Sequence, residues 1–154
     1  GGGGAGGAPA GETAEKLDRM MACTLRHVEW RLARNESHAV WRTLHGAFGR
    51  TLLHTYRSKF AQFLLFHACA RDHTGSHARA FVASLHGLLV DQCQPPVSRL
   101  AAAAYLASFV ARAKFVGAAG VAEACAGLGG WLSSYCDAYD AAAAAGGAPP
   151  APPG

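Results

Sequence analysis

Apolar residues recur along this chain at intervals of three and four, and strict alternation of apolar and polar positions is absent, so the pattern predicts helices rather than strands. The first run, residues 12–34, sets Leu17, Met21, Thr24, Leu25, Val28 and Leu32 on one face. The second, residues 37–53, does the same with Val40, Trp41, Leu44, Phe48 and Leu52, and Asn35 and Ser37 are natural caps at the break. A third run, residues 58–71, carries Phe60, Phe63, Leu64 and Phe66. The stretch "DHTGSH" interrupts it, and a fourth helix with Phe81, Leu85, Leu88 and Leu89 continues to about residue 93. Pro95 and Pro96 can open a helix but not continue one, because proline lacks the amide donor and has its φ angle pre-set. A fifth helix therefore starts there and ends at Gly117, which suits a C′ position. The sixth, residues 118–135, presents Val121, Cys125, Leu128, Trp131, Leu132 and Tyr135.

Six helices with short links make three antiparallel hairpins. The third and fourth helices, and the fifth and sixth, each form a unit of about forty residues, the size of HEAT or armadillo repeats. A compact bundle would use the same helices. The fifth helix favours stacking, because Leu100, Ala104 and Phe115 occupy one side while Leu106 and Phe109 lie on others. A helix without a polar face is expected to be covered on several sides. The expected fold is thus all-α, HEAT/armadillo-like, with about six helices in stacked antiparallel hairpins.

Composition sets the edges of that fold. Residues 1–11 and 141–154 are almost wholly Gly, Ala and Pro and hold ten of the nineteen glycines and five of the seven prolines. Such segments bury too little apolar area to offset the entropy of ordering them, so they are expected to be disordered tails around a helical-repeat domain at residues 12–140. The beginning "GGGGAGGAPAG" lacks the basic and apolar regions of a secretory signal, and with no initiator Met the chain reads as part of something longer. Charge-free runs inside the core stay under the roughly 18 to 20 residues that span a bilayer, so no transmembrane helix and no membrane partner are expected. The five cysteines, Cys23, Cys69, Cys93, Cys125 and Cys136, are odd in number and widely spaced, which fits buried reduced thiols better than a disulfide framework.

Candidate chemistry is sparse. Cys69, His73 and His77 in "CARDHTGSH" offer three zinc ligands but lack a fourth, and a turn separates the histidines, so no metal site is assigned. No Ser, Cys or Asp pattern sets a nucleophile beside an oriented base, and "GLGGWL" lacks the Lys and the preceding strand of a phosphate loop. Neither catalytic residues, nor a cofactor, nor a small-molecule substrate is expected.

Charge is more informative. From Arg26 to Lys114 there are twelve Lys or Arg against four acids, although the net charge is only +4. Between Ser37 and Arg71 stand Arg42, Arg50, Arg57, Lys59 and Arg71, with no acid among them. Arg42 and Arg50 fall opposite Val40, Leu44 and Phe48, a face that is either simply solvated or turned to an acidic protein surface or phosphates. No helix-turn-helix or aromatic-interleaved signature supports direct nucleic-acid binding. Arg112 and Lys114 form a second candidate. On a regular helix they lie about 160° apart, and in a last turn both are favoured by unpaired carbonyls, so a structural role suffices for them as well as a partner contact. Trp30 projects away from the apolar stripe of the first helix, as an anchor or against an absent neighbour.

The wording of the chain adds to this. "EKLDRMMACTLRHV", "KFAQFLLFHAC", "RLAAAAYLASFVARAKFV" and "WLSSY" resemble, in order and spacing, the middle of the RNA polymerase I-specific transcription initiation factor family, over residues 12–139. "YLASFVARAKFV" is the specific part. The resemblance implies a HEAT-repeat fold and a nuclear, largely nucleolar, non-enzymatic adaptor that binds RNA polymerase I and links it to promoter-bound factors under phosphorylation control. Ser98, Ser108, Ser133 and Ser134 are present, but the resemblance assigns a regulatory site to none of them. "AGLGG" at residues 126–130 departs from the bulkier family pattern, and each glycine inside a helix costs roughly 0.8 to 1 kcal/mol against alanine. An unrelated helical-repeat scaffold for transport or assembly is the alternative reading.

Overall fold

The computed structural model describes residues 10–53, 55 and 61–147. Helix α1 spans Ala10–Leu32, α2 Ser37–Ala47, α3 Gln62–Ala70, α4 Ser76–Val90, α5 Pro96–Arg112 and α6 Gly117–Ala144. A π turn, Phe48–Leu52, extends α2, and a 3-10 turn, Lys114–Val116, separates α5 from α6. No strand occurs among the described residues. The fold is all-α and repeat-like, as the spacing of apolar residues predicts. Helix α1 begins at Ala10 and α6 runs four residues beyond Asp140.

Local chemistry explains the boundaries. The "DHTGSH" break is organised by Asp72, whose Oδ1 accepts from the Thr74 amide at 3.0 Å while Oδ2 accepts from the His77 amide at 2.8 Å and the Ser76 hydroxyl at 2.9 Å. Gly75, at φ +67°, completes the turn in a conformation that side-chain-bearing residues avoid. Pro95 and Pro96 open α5 as expected. The start of α2 differs from the sequence reading: the cap position is Glu36, which reaches back to Arg31 at 2.6 Å, and Asn35 takes a left-handed φ of +61°. Short polar Asn is among the few residues that tolerate that region.

Four phenylalanines hold the centre, one each from the π turn, α3, α4 and α5. Phe81 meets Phe48 and Phe109 edge-on, both with centroids 5.1 Å apart, and Phe66 meets Phe109 at 4.9 Å. Edge-to-face pairs of this kind add to the gain from burial alone. Phe81, Phe109, Leu85 and Leu106 are fully inaccessible to solvent. Tyr105 packs edge-on against Phe48 and donates its hydroxyl to the Leu52 carbonyl at 3.0 Å, which anchors the π turn to α5. Arg99, itself buried, donates its Nε–H to the Leu89 carbonyl at 2.8 Å and closes the C-terminal end of α4.

The packing of the last two helices departs from the predicted hairpin. Helix α5 stops at Arg112, four residues before the expected end, because Ala113 leaves the helix at ψ 70° and is itself buried. The chain turns through Lys114–Val116 and enters α6 at Gly117 with φ +68°. Helix α6 therefore rests on α4 and on the 3-10 turn, while α5 pairs mainly with α4. At Gly127 the two helices meet: His86 of α4 lies 3.1 Å from its carbonyl oxygen, and a Cβ there would stand in ordinary contact, 3.4 Å from the His86 ring. No steric need for glycine is evident at residues 127, 129 or 130. A groove of about 670 Å³ opens between α4 and the first half of α6, floored by Leu106 and Val82.

Two further expectations are corrected. Helix α5 is covered on one side only: Leu106 and Phe109 face inward, but Val97 is 72% and Leu100 60% exposed. All-round apolar character reflects small alanines on an open face rather than enclosure. Among the cysteines only Cys69 is buried, and all five thiols are free. The stretch Lys114–Ala144 is also long and apolar enough, by length and composition, to cross a bilayer, which charge-free runs alone did not reveal. In its first half Ala124 is buried and Gly127 meets His86, while most of its residues are exposed.

Candidate partner-binding surface

The basic face begins on α2. Arg42 is exposed on that helix, and Arg50 is exposed on the π turn, with its guanidinium folded back to 3.2 Å from where a Gly46 Cβ would stand. A side chain at Gly46 would push that cation away. Neither arginine has an acidic partner within salt-bridge distance among the described residues. Arg57 and Lys59 lie outside the described residues. Arg42 and Arg50 therefore lie, both exposed, on one continuous helical segment. The π turn adds a widened backbone, a feature frequent at functional sites.

Arg112 and Lys114 are held differently from the regular-helix expectation. Arg112 is the last residue of α5 and donates to Ser108 Oγ at 2.9 Å, which lays its side chain back along its own helix. Lys114 opens the 3-10 turn and is exposed. Because the helix ends between them, the angle of a regular helix does not govern their relation. Buried Ala113 pins the backbone, and the two cations flank that pin.

The histidines gather elsewhere. Trp41 of α2 is sandwiched between His45, at 4.8 Å and 8°, and His77 of α4, at 5.0 Å and 9°, and His38 stands 6.0 Å from His77. His45 is bonded to Ser84 Oγ at 2.9 Å. Burial lowers the pKa of both His45 and His77, and for His77 Asp72 pulls the other way while His38 adds to the lowering. These rings weld α2 to α4, a use that spacing alone did not disclose. The candidate ligands of "CARDHTGSH" part company: Cys69 faces the core with its thiol pushed up by burial to about 12, His77 joins the ring stack and His73 is exposed. Among the described residues no group of three His, Cys, Asp or Glu is placed to hold a metal ion.

A clamp missed from sequence joins α1 to α3. Glu29 accepts from Arg71 Nε at 3.0 Å and from Arg71 Nη2, and also meets His67 Nε2. The Arg71 hydrogen bonds, followed by His67, hold the Glu29 carboxyl below its usual range. Arg71 is thereby removed from the basic face, since its charge is matched. The signal was an acid in a basic stretch, but its partner lies 42 residues away.

Comparison with known proteins bears on what this surface serves. Residues 9–149 match the family model described as RNA polymerase I specific transcription initiation factor RRN3. The chain belongs to this family. An RNA polymerase I-specific transcription initiation factor RRN3 from Mus musculus is 33% identical over 134 residues, covering 83% of this chain and 20% of that protein. One from Schizosaccharomyces pombe is 30% identical over 102 residues, covering 65% of this chain and 17% of its own length. The chain thus spans about a fifth of the length of these curated relatives. No solved structure matches.

Proposed function

We propose that this helical segment is a docking module of the RNA polymerase I initiation machinery, acting by recruitment in the nucleus and nucleolus rather than by catalysis. The observation that carries the reading is membership of the RRN3 family across residues 9–149. Exposed Arg42 and Arg50 on α2 and its π turn, with no acidic partner among the described residues, support a basic face toward an acidic protein surface of the polymerase or a promoter-bound factor. Arg57 and Lys59 are retained as candidates for this interface from the charge pattern of the sequence, and Arg112 with Lys114 forms a secondary candidate. The product of such a module is a bound complex. It uses no metal, cofactor or small-molecule substrate and has no need of direct nucleic-acid contact.

Charge reversal at Arg42, Arg50, Arg57 and Lys59 in the full-length protein is expected to reduce co-purification of RNA polymerase I from nuclear extract. Unchanged capture by a variant with native helicity would remove this face from the interface.

A further inference from the structure

Helix α1 carries two stripes. At 100° per residue, Leu17, Met21, Leu25, Val28 and Leu32 form the inner one, and Val28 is buried against α2 and α3. Met20, Cys23, His27 and Trp30 fall within an arc of about 80° on the other side, with Arg26 at its margin, and Arg34 follows in the turn just past the helix. This outer stripe is open: Met20 is 67% and Trp30 54% exposed.

The outer stripe is also pre-organised. The Arg34 guanidinium sits 4.3 Å from the centroid of the Trp30 ring, and His27 stacks on Trp30 at 5.9 Å and 25°. Arg26 donates to Cys23 Sγ at 3.3 Å. Acids nearby are already matched, Glu29 by Arg71 and His67 and Glu36 by Arg31. Arg26 and Arg34 have no acid within salt-bridge distance among the described residues. A rigid aromatic anchor flanked by unmatched cations is the composition of a binding hot spot, in which little side-chain freedom remains to be lost.

We infer that the outer stripe of α1 from Met20 to Trp30, together with Arg34 of the turn that follows, is a second protein-docking face and that its partner is an acidic amphipathic helix. Met20 and Trp30 are about 15 Å apart along the axis, a span that two to three turns of a facing helix cover with apolar anchors. Met20 supplies an adaptable contact, Trp30 a fixed one, and Arg26 and Arg34 pair with carboxylates at the rim. A nucleic-acid strand fits less well. His27 and Arg34 already stack on the indole that a base would need, and two cations offer few phosphate contacts.

The test uses the whole chain and three fluorescent probes: a helical peptide of about twenty residues with Leu at heptad positions and Glu elsewhere, the same peptide with Lys for Glu, and oligo-dT. The Glu peptide is expected to bind, and Trp30→Ala and Arg34→Glu to weaken it about tenfold or more. Met20→Ala should cost a few-fold, and Arg42→Glu with Arg50→Glu should leave it unchanged. Trp30→Phe, which keeps a ring on the helix, guards against misfolding and should fall between. Equal binding of the Lys peptide, preferential binding of oligo-dT, no binding of any probe, or loss of binding only in the α2 variants would each overturn the assignment.

Discussion

The α3–α5 block and helix α6 are almost equally apolar in sequence and opposite in fate. In the block, Phe66, Phe81, Leu85, Leu106 and Phe109 interlock and exclude solvent, whereas α6 buries only Ala124 among its 28 residues. Hydropathy thus measures what a segment can bury, not what it does bury. The difference is a neighbour: α4 is flanked by α3, α5 and α6, while α6 meets little beyond α4 and the 3-10 turn. Trp131 and Tyr135 stack on each other at 6.1 Å, and Leu132 and Tyr139 remain exposed.

This contrast can be broken at its strong end first. Phe109→Ala removes a ring that touches Phe66, Phe81 and Phe115, and should cost about 3 to 5 kcal/mol in urea unfolding. The same substitution at Trp131 should cost far less, because its ring is only partly covered. Comparable losses at both sites would mean that α6 is as well supported as the block.

Arg99→Met keeps the stem and deletes the donor to the Leu89 carbonyl. A loss of about 1.5 to 3 kcal/mol is expected, with α4 amides near Leu89 losing hydrogen-exchange protection first. Uniform loss along the chain would argue that the bond does not act locally.

Acid should separate the two regions further. His45 and His77 have lowered pKa values in the fold, so the unfolded chain takes up their protons first. Their contribution is complete above the unfolded value of 6.5 and is lost as pH falls below it. Urea midpoints should therefore drop as pH falls below about 6.5. His77→Phe should flatten that slope, and an unchanged slope would exclude the ring stack as its source.

The smallest effect has the opposite sign. A Cβ at Gly129 or Gly130 would meet nothing within 4 Å, so Gly129→Ala and Gly130→Ala should each stabilise α6 by up to about 1 kcal/mol. Protection should rise in residues beyond 130 and hardly change in α4. Gly127→Ala is the control, since its Cβ would touch His86.

Much of this was legible in the chain because it is local. Helix spacing, the proline start of α5 and the break at "DHTGSH" follow from residues within a few positions of one another. The exposed places of Arg42 and Arg50 followed from helical phase, and the family followed from the wording around "YLASFVARAKFV". The outer stripe of α1 was only half visible. Trp30 could be seen to leave the inner stripe, but not that Arg34 and His27 would fix its ring.

What tertiary structure alone decided are the relations between distant residues. Glu29 with Arg71, Trp41 with His77, and His86 with Gly127 are each separated by 36 to 42 positions, and no spacing rule predicts them. The end of α5 at Ala113 belongs here too, because Ala113 leaves the helix and is buried in the core although "ARAKFV" by itself suits a helix. Sequence fixes which faces a helix offers, through bond geometry repeated every 3.6 residues. Which of those faces is filled depends on what other helices bring to it, and that is a property of the assembled chain.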